Sequence, residues 1–263
     1  MRLKIFRAVS PALLLIGMAV ISATAATAQP GTGPRERIDQ RFTTARPDTP
    51  TGIRFTAAYH APGDAKAPPP YLRRMVFYPP RGMRYDTRVP DRCPASDAVL
   101  QTMGPSACPA GSLLGTGTTE GVFQYPFAHD FVFDHFRHHV DVLNNTSEQI
   151  VLIQSEGWTV VRGRIRPDGA IDWRLPTCFP ANPAGDCADE YIIQLKNATR
   201  LAPLTKRVRG EVRSYATTPP RCPARGYWQT TVRYWWADGA VDSVPTKQPC
   251  VAAASGPGRE RAG

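Results

Sequence analysis

Proline and glycine interrupt this chain so often that they limit the length of any regular element. The 263 residues include 27 Pro and 21 Gly. The runs between them are short and rich in Val, Ile, Thr and aromatic side chains, which is typical of β-strands. Two examples are residues 52–59 (GIRFTAAY) and 71–78 (YLRRMVFY), separated by a loop that ends in three consecutive prolines. The pattern predicts short strands joined by turns.

Further runs have the same strand character, and turn residues separate some of them. They are residues 118–125, 137–143, 149–154, 158–166, 170–175, 191–196, 208–215, 226–236 and 240–244. Pro167-Asp168-Gly169 and Asp238-Gly239 have the residue types that tight reversals require. The second of these turns predicts a β-hairpin near the C-terminus.

Residues 96–103 are the one segment predicted to be helical. Ser96 is a good N-cap, and Gly104-Pro105 stops a helix after Met103. Many short strands and one short helix predict an all-β fold, a disulfide-stapled β-sandwich that is immunoglobulin-like in general architecture. The Cys…Trp…Cys pattern of true immunoglobulin domains is not evident in the sequence.

The first 28 residues have the composition of a secretory signal peptide. Three basic residues precede an apolar run over residues 8–23, and Ala26-Thr27-Ala28 offers small residues for cleavage. The alternative is an uncleaved membrane anchor, since the apolar stretch approaches the roughly 20 residues that span a bilayer. Cleavage is favoured, so the sequence predicts a secreted protein, extracellular or held at the cell envelope, with no membrane span after signal cleavage.

The remaining chain divides by composition into a linker, a domain and a tail. Residues 29–40 are rich in Pro, Gly and Arg and are predicted to form a flexible linker. Residues 41–251 are predicted to form a single domain, and residues 252–263 a disordered tail. The net charge is +10, and three of those charges lie in the predicted signal peptide. The other basic residues are scattered, which fits an anionic cell envelope as partner and not nucleic acid.

An even number of cysteines in an exported chain predicts disulfides. The six residues are Cys93, Cys108, Cys178, Cys187, Cys222 and Cys250. Six cysteines allow 15 pairings, and pairing between neighbours in the sequence is favoured because each such pair brackets a loop or hairpin. Metal binding by these cysteines is the weaker interpretation, because no C-x-x-C spacing occurs.

Three phrases of the sequence resemble a family of exported proteins. They are RFTTARPDTPTGIRF, YPPRGMRYDT together with RCPASDAVLQTMGPSACPAGSLLGTGT, and TTPPRCPARGYWQTTVRYWWADG before a Pro-Cys pair. They resemble uncharacterised exported β-rich proteins of high-GC Gram-positive bacteria, which share a CPAxSxxGxGT phrase and a C-terminal hairpin bracketed by cysteines. The resemblance implies one β-rich domain with Cys93–Cys108 and Cys222–Cys250 bridges. It implies no catalytic or binding residues, and Cys178 and Cys187 lie outside its pattern.

A histidine-rich segment, residues 129–141, is the candidate for a metal site. It contains His129, Asp130, Asp134, His135, His138, His139 and Asp141. On a helix, His135, His138 and His139 would share one face and could hold a zinc or copper ion. On a strand, His138 and His139 point to opposite faces, and His135 lies roughly 13 Å from His139 at about 3.3 Å per residue. The strand is favoured because strand-like sequence follows directly.

The predicted strand at residues 226–236 is the better binding candidate. Alternation places Trp228, Val232, Tyr234 and Trp236 on a core face, and Tyr227, Arg233 and Trp235 on the other face. An exposed Trp or Tyr beside Arg stacks on sugar rings or contacts another protein. The alternative is that a loop covers Trp235.

Catalytic motifs are absent from the sequence. There is no G-x-S-x-G and no H-E-x-x-H, and the Gly-rich residues 110–119 lack the Lys and Ser/Thr spacing of a phosphate-binding loop. Those residues are predicted to be a loop that leads into a strand.

Together, these patterns predict an exported non-catalytic binding or structural module without a cofactor, whose partner is a cell-envelope polymer or another exported protein. The alternative is a metal-binding protein or hydrolase that uses residues 129–141.

Overall fold

The computed structural model describes residues 28–124, 133–155, 157–176 and 191–252, without the side chains of residues 133, 134 and 191. The regular elements in these ranges are mostly strands. The strands are β1 (Gly31–Thr32), β2 (Glu36–Phe42), β3 (Ile53–Tyr59), β4 (Leu72–Tyr78), β5 (Arg84–Tyr85), β6 (Leu113–Gln124), β7 (Phe133–Asn145), β8 (Glu148–Gln154), β9 (Trp158–Ile165), β10 (Ile171–Arg174), β11 (Tyr191–Leu201), β12 (Thr205–Val208), β13 (Glu211–Ser214), β14 (Ala216–Thr217), β15 (Tyr227–Trp236) and β16 (Val241–Pro249). One α-helix, α1 (Asp97–Met103), is followed by two 3-10 turns, Gly104–Ala107 and Ala110–Ser112.

Most of the strands belong to a single antiparallel sheet that closes on itself. Its order is β1-β2-β3-β11-β6-β7-β8-β9-β10-β4-β15-β16. The two ends meet where the Gln29 N–H donates to the Lys247 carbonyl at 2.8 Å and the Lys247 N–H donates back at 3.2 Å. The all-β prediction with one short helix is confirmed. The immunoglobulin-like sandwich is not, because one closed sheet stands in place of two separate packed sheets.

Closure gives every strand an inner and an outer face, so alternate residues become buried. On β15, Trp228, Val232, Tyr234 and Trp236 are at most 2% exposed, and they belong to the main core inside the sheet. The sequence predicted this face correctly. Burial of each such side chain stabilises the fold by about 1.5–3 kcal/mol.

Helix α1 covers a smaller core on the outside of the sheet. Ser96 Oγ accepts a hydrogen bond from the Val99 N–H, and Gly104, with φ at 59°, ends the helix. Leu100 is fully buried in a cluster that includes Leu143 and Cys93. The predicted helix is confirmed with its cap and its stop.

Two of the predicted disulfides lie within the described residues. Cys93 and Cys108 are bonded with their Cα atoms 4.9 Å apart, and Cys222 and Cys250 with theirs 5.5 Å apart. The first staples α1 to the sheet and the second closes the chain around the β15–β16 hairpin. Cys178 and Cys187 lie outside the described residues.

The prediction of a flexible linker at residues 29–40 is wrong. Residues 31–32 form β1, and residues 36–40 belong to β2, which pairs along its whole length with β3. Ile38 and Glu36 are fully buried. Buried and more exposed residues alternate in β2 with the period of a strand, although two of the four buried residues are polar. The segment completes the sheet closure.

The boundaries of several other elements also differ from the prediction. Residues 208–215, predicted as one strand, are divided between β12 and β13 by a turn at Arg209 and Gly210, both with positive φ. The Gly-rich phrase is strand from Leu113 onwards, not a loop. A Cβ atom at Gly117 would lie 2.2 Å from the Ala198 carbonyl oxygen, so only glycine allows this close approach of β6 and β11.

Most residues at the two ends of the chain lie outside the described ranges. Residues 1–27 of the predicted signal peptide and residues 253–263 of the predicted tail lie outside them. Among the described residues, no helix combines the length and the apolar character that crossing a membrane would take.

Candidate functional site

The outer face of β4, β15 and β16 combines aromatic rings with cations, and we call it the basic-aromatic face. Its rings are those of Tyr78, Tyr227 and Trp235, and its cations are Arg74, Arg166, Arg225, Arg233 and Lys247. The strand register assembles it, because Trp235 lies opposite Arg74 and Thr231 lies opposite Tyr78 across the β4–β15 pair. All three residues predicted for binding, Tyr227, Arg233 and Trp235, belong to this face.

Each of these rings is in contact with two cations. The guanidinium carbons of Arg74 and Arg233 lie 4.6 and 5.9 Å from the centroid of the Trp235 ring. At the Tyr227 ring, the distances are 4.8 Å for Arg225 and 5.1 Å for Lys247 Nζ. These geometries are within the range of cation–π attraction, worth about 0.5–1 kcal/mol at exposed sites. The Trp235 ring is half-buried and lies against two guanidinium groups.

The Tyr78 ring lies between two arginines. The guanidinium carbons of Arg166 and Arg233 lie 5.7 and 5.8 Å from its ring centroid. Arg233 therefore contacts both Tyr78 and Trp235 and joins these two rings. Because both rings restrain the Arg233 side chain, less conformational entropy is lost when its guanidinium binds an anion.

The charge of the face is only partly neutralised. Arg74 forms a two-pronged ion pair with Asp172, and this hydrogen bonding lowers the pKa of the Asp172 carboxyl. Among the described residues, Arg225, Arg233 and Lys247 form no ion pair. Their free positive charges give this face a preference for anions.

The histidines of this segment that the structure describes are divided between the two faces of one strand. Residues 135–139 lie on β7, where His138 is half-buried and has its pKa lowered by desolvation. His135 and His139 are exposed and lie on the opposite face of the strand from His138. His139 Nε2 instead lies 3.0 Å from Asp141 Oδ1. No group of three or more metal-binding side chains occurs among the described residues; His129 and Asp130, and the side chain of Asp134, lie outside them.

A buried carboxylate pair was missed by the sequence analysis. The Trp236 Nε1–H donates to Glu36 Oε1 at 3.1 Å and to Asp242 Oδ2 at 2.9 Å, and Arg35 Nη1 donates to Asp242 Oδ2 at 2.9 Å. Burial and then the negative charge of Asp242 raise the pKa of Glu36 to about 7. Glu36 is fully buried and Asp242 is 8% exposed. The pair therefore has no open side for a substrate and joins the first strands to the last.

The carboxylates of Glu120 and Glu148 also have arginine partners. Glu120 lies 3.5 Å from Arg137, and Glu148 lies 2.6 Å from Arg162. Each carboxylate is thus engaged in its own ion pair.

Searches against protein-family models, curated proteins and solved structures find no match to the chain.

Proposed function

We propose that this chain is an exported, non-catalytic binding module that attaches to an anionic polymer of the cell envelope through the basic-aromatic face. The observation that carries the proposal is a set of cations that form no ion pair with the described residues and that each lie against an aromatic ring: Arg225, Arg233 and Lys247. The predicted signal peptide and the disulfides support an extracellular setting.

The geometry suits a flexible chain of spaced negative charges. Guanidinium groups donate two parallel hydrogen bonds to a phosphate or carboxylate, and the rings beside them offer faces and edges to sugar units. Since the cations are aligned along β15 and β16, one polymer chain would contact several of them in succession. The attraction is between exposed charges, so binding weakens as salt is added.

Sedimentation of the mature protein with isolated cell walls tests the proposal. The double variant Arg225→Ala with Arg233→Ala removes two guanidinium groups that would pair with anions of the polymer. Exposed ion pairs are worth about 0.2–1 kcal/mol each, so we expect binding to weaken about twofold to thirtyfold. Arg54→Ala with Arg200→Ala is the matched control. These two residues are exposed neighbours on the outer face of β3 and β11, where neither forms an ion pair among the described residues.

Both double variants lose the same net charge. The control therefore distinguishes binding at the basic-aromatic face from attraction by the overall positive charge of the protein. Equal weakening by the two variants would contradict the proposal and leave only long-range attraction. Binding that persists after the anionic polymer is stripped from the walls would indicate another exported protein as the partner. The metal or hydrolase alternative gains no support, because His135 and His139 lie on the outer face and His138 on the inner face of β7.

A further inference from the structure

A cavity of about 100 Å³ lies inside the closed sheet. Its wall is largely apolar and includes Phe55, Phe77, Val140, Val142, Val151 and Trp173. A second gap of about 30 Å³ adjoins it and shares Thr119, Ile153 and Gln194 with the first. The two together form one interior space bounded by strands from both halves of the chain.

This volume exceeds what imperfect packing normally leaves. Protein interiors have few voids larger than a water molecule, and a void destabilises the fold in proportion to its volume. A water molecule needs about 10–15 Å³ of such space, whereas an engineered apolar cavity of about 150 Å³ binds benzene. The cavity in this chain is therefore nearer to the size of a small ring than to the size of a water.

The residues that line the cavity disfavour a charged ligand. No Asp, Glu, Lys, Arg or His is among the described residues that line the cavity. A charged ligand would lose its hydration without gaining a counter-ion, which is strongly unfavourable. Val142, Val151 and Val161 stand side by side on β7, β8 and β9 and offer only methyl groups to an occupant. An uncharged and mainly apolar occupant fits this wall.

Amide groups make one part of the wall polar. Gln194 Nε2 donates to Thr119 Oγ1 at 2.9 Å. Asn197, opposite Thr119 across the β6–β11 pair, has a buried Oδ1 with no hydrogen-bond partner in the described part of the chain. An unpaired buried acceptor is costly, and a donor from a ligand would relieve that cost. Ligand sites are typically apolar cavities with a few such polar groups.

We propose that the cavity binds a compact, uncharged ring compound with one hydrogen-bond donor, of the size and chemistry of phenol. The ring would lie against the valine and aromatic wall, with its hydroxyl at the amide groups of Asn197 and Gln194. This site is separate from the basic-aromatic face, because the cavity lies on the inner side of the sheet and that face lies on its outer side.

Calorimetric titration of the mature, disulfide-bonded protein with phenol tests the proposal. We expect saturable binding of phenol and at least about tenfold weaker binding of benzoate, a charged ring of similar size. Val151→Phe fills the cavity and is expected to weaken phenol binding at least about tenfold. Val212→Phe is the matched control, because Val212 is 60% exposed on β13, and we expect it to change the affinity less than about twofold.

Three results would overturn the proposal: no saturable phenol binding, equal binding of phenol and benzoate, or an unchanged affinity in a folded Val151→Phe protein. If Val151→Phe does not fold, Val151→Leu provides a smaller change in the same wall and is expected to weaken binding by a lesser factor. Asn197→Leu, which removes the unpaired oxygen, is expected to abolish the preference for phenol over benzene. An undiminished preference would also refute the assigned role of the amide.

Discussion

Replacing Glu36 with glutamine removes the titratable member of the buried pair while it keeps the shape of the side chain. Glutamine retains an acceptor for the Trp236 Nε1–H, which now lies 3.1 Å from Glu36 Oε1. It carries no charge against Asp242. The variant therefore isolates the contribution of ionisation at this site to the free energy of unfolding.

The magnitude follows from the difference between the folded and unfolded pKa values. The pKa of Glu36 is about 7 in the folded protein and 4.5 ordinarily. At 1.36 kcal/mol for each pH unit, that difference corresponds to about 3 kcal/mol. The folded pKa is the higher one, so the unfolded chain loses this proton first as the pH rises. The stabilisation is complete below pH 4.5, falls between pH 4.5 and about 7, and is lost above that range.

Urea unfolding of the oxidised protein from pH 4 to pH 8.5 measures this effect. Relative to the wild type, we expect Glu36→Gln to gain about 3 kcal/mol between the lowest and the highest pH. A constant offset between the two proteins reflects altered hydrogen bonding and does not bear on ionisation. Asp39→Asn, on the same strand with a side chain 38% exposed, is the control and is expected to run parallel to the wild type. If the curve for Glu36→Gln runs parallel to the wild-type curve, ionisation of Glu36 does not affect the stability of the fold.

Two further predictions concern the covalent and steric constraints on the fold. Removing the Cys222–Cys250 bond by a double Cys→Ala substitution releases a loop with a sequence separation of 28 residues; we expect a loss of about 3–4 kcal/mol on the chain-entropy model, measured by urea unfolding. Gly163→Ala would place a Cβ atom 2.1 Å from Trp173 Nε1, whereas at Gly157 the nearest atom is 3.7 Å away. We expect Gly163→Ala to lower the unfolding free energy by about 1–3 kcal/mol and Gly157→Ala to change it by less than about 0.5 kcal/mol; equal effects would contradict the assigned packing.

The structure could be predicted from the sequence in those segments where the local pattern decides it. The two faces of β15 follow directly from alternation, so the burial of Trp228 and Trp236 and the outward position of Trp235 could be predicted. The helix after Ser96 depends only on its cap and on Gly104-Pro105. In these segments neighbouring residues contain all the necessary information.

Strand β2 and the sheet closure depend on contacts that are distant in the sequence. Glu36 and Arg35 give the segment a polar composition. Their burial is made tolerable by Trp236, Asp238 and Asp242, about 200 residues later. Likewise, Gln29 has no local signal that it pairs with Lys247. The cavity was equally inaccessible to prediction, because its volume depends on how side chains from many strands meet.

The inner and outer surfaces of the closed sheet share the same strands, which couples the two proposed sites through register. On β4, Arg74 and Tyr78 face outwards to the basic-aromatic face, whereas Met75 and Phe77 line the cavity. A register shift of one residue would exchange these sets and place an arginine inside the sheet. The Arg74–Asp172 ion pair opposes such a shift, because it fixes β4 against β10 from outside. The pair that partly neutralises the outer face thus also preserves the uncharged interior.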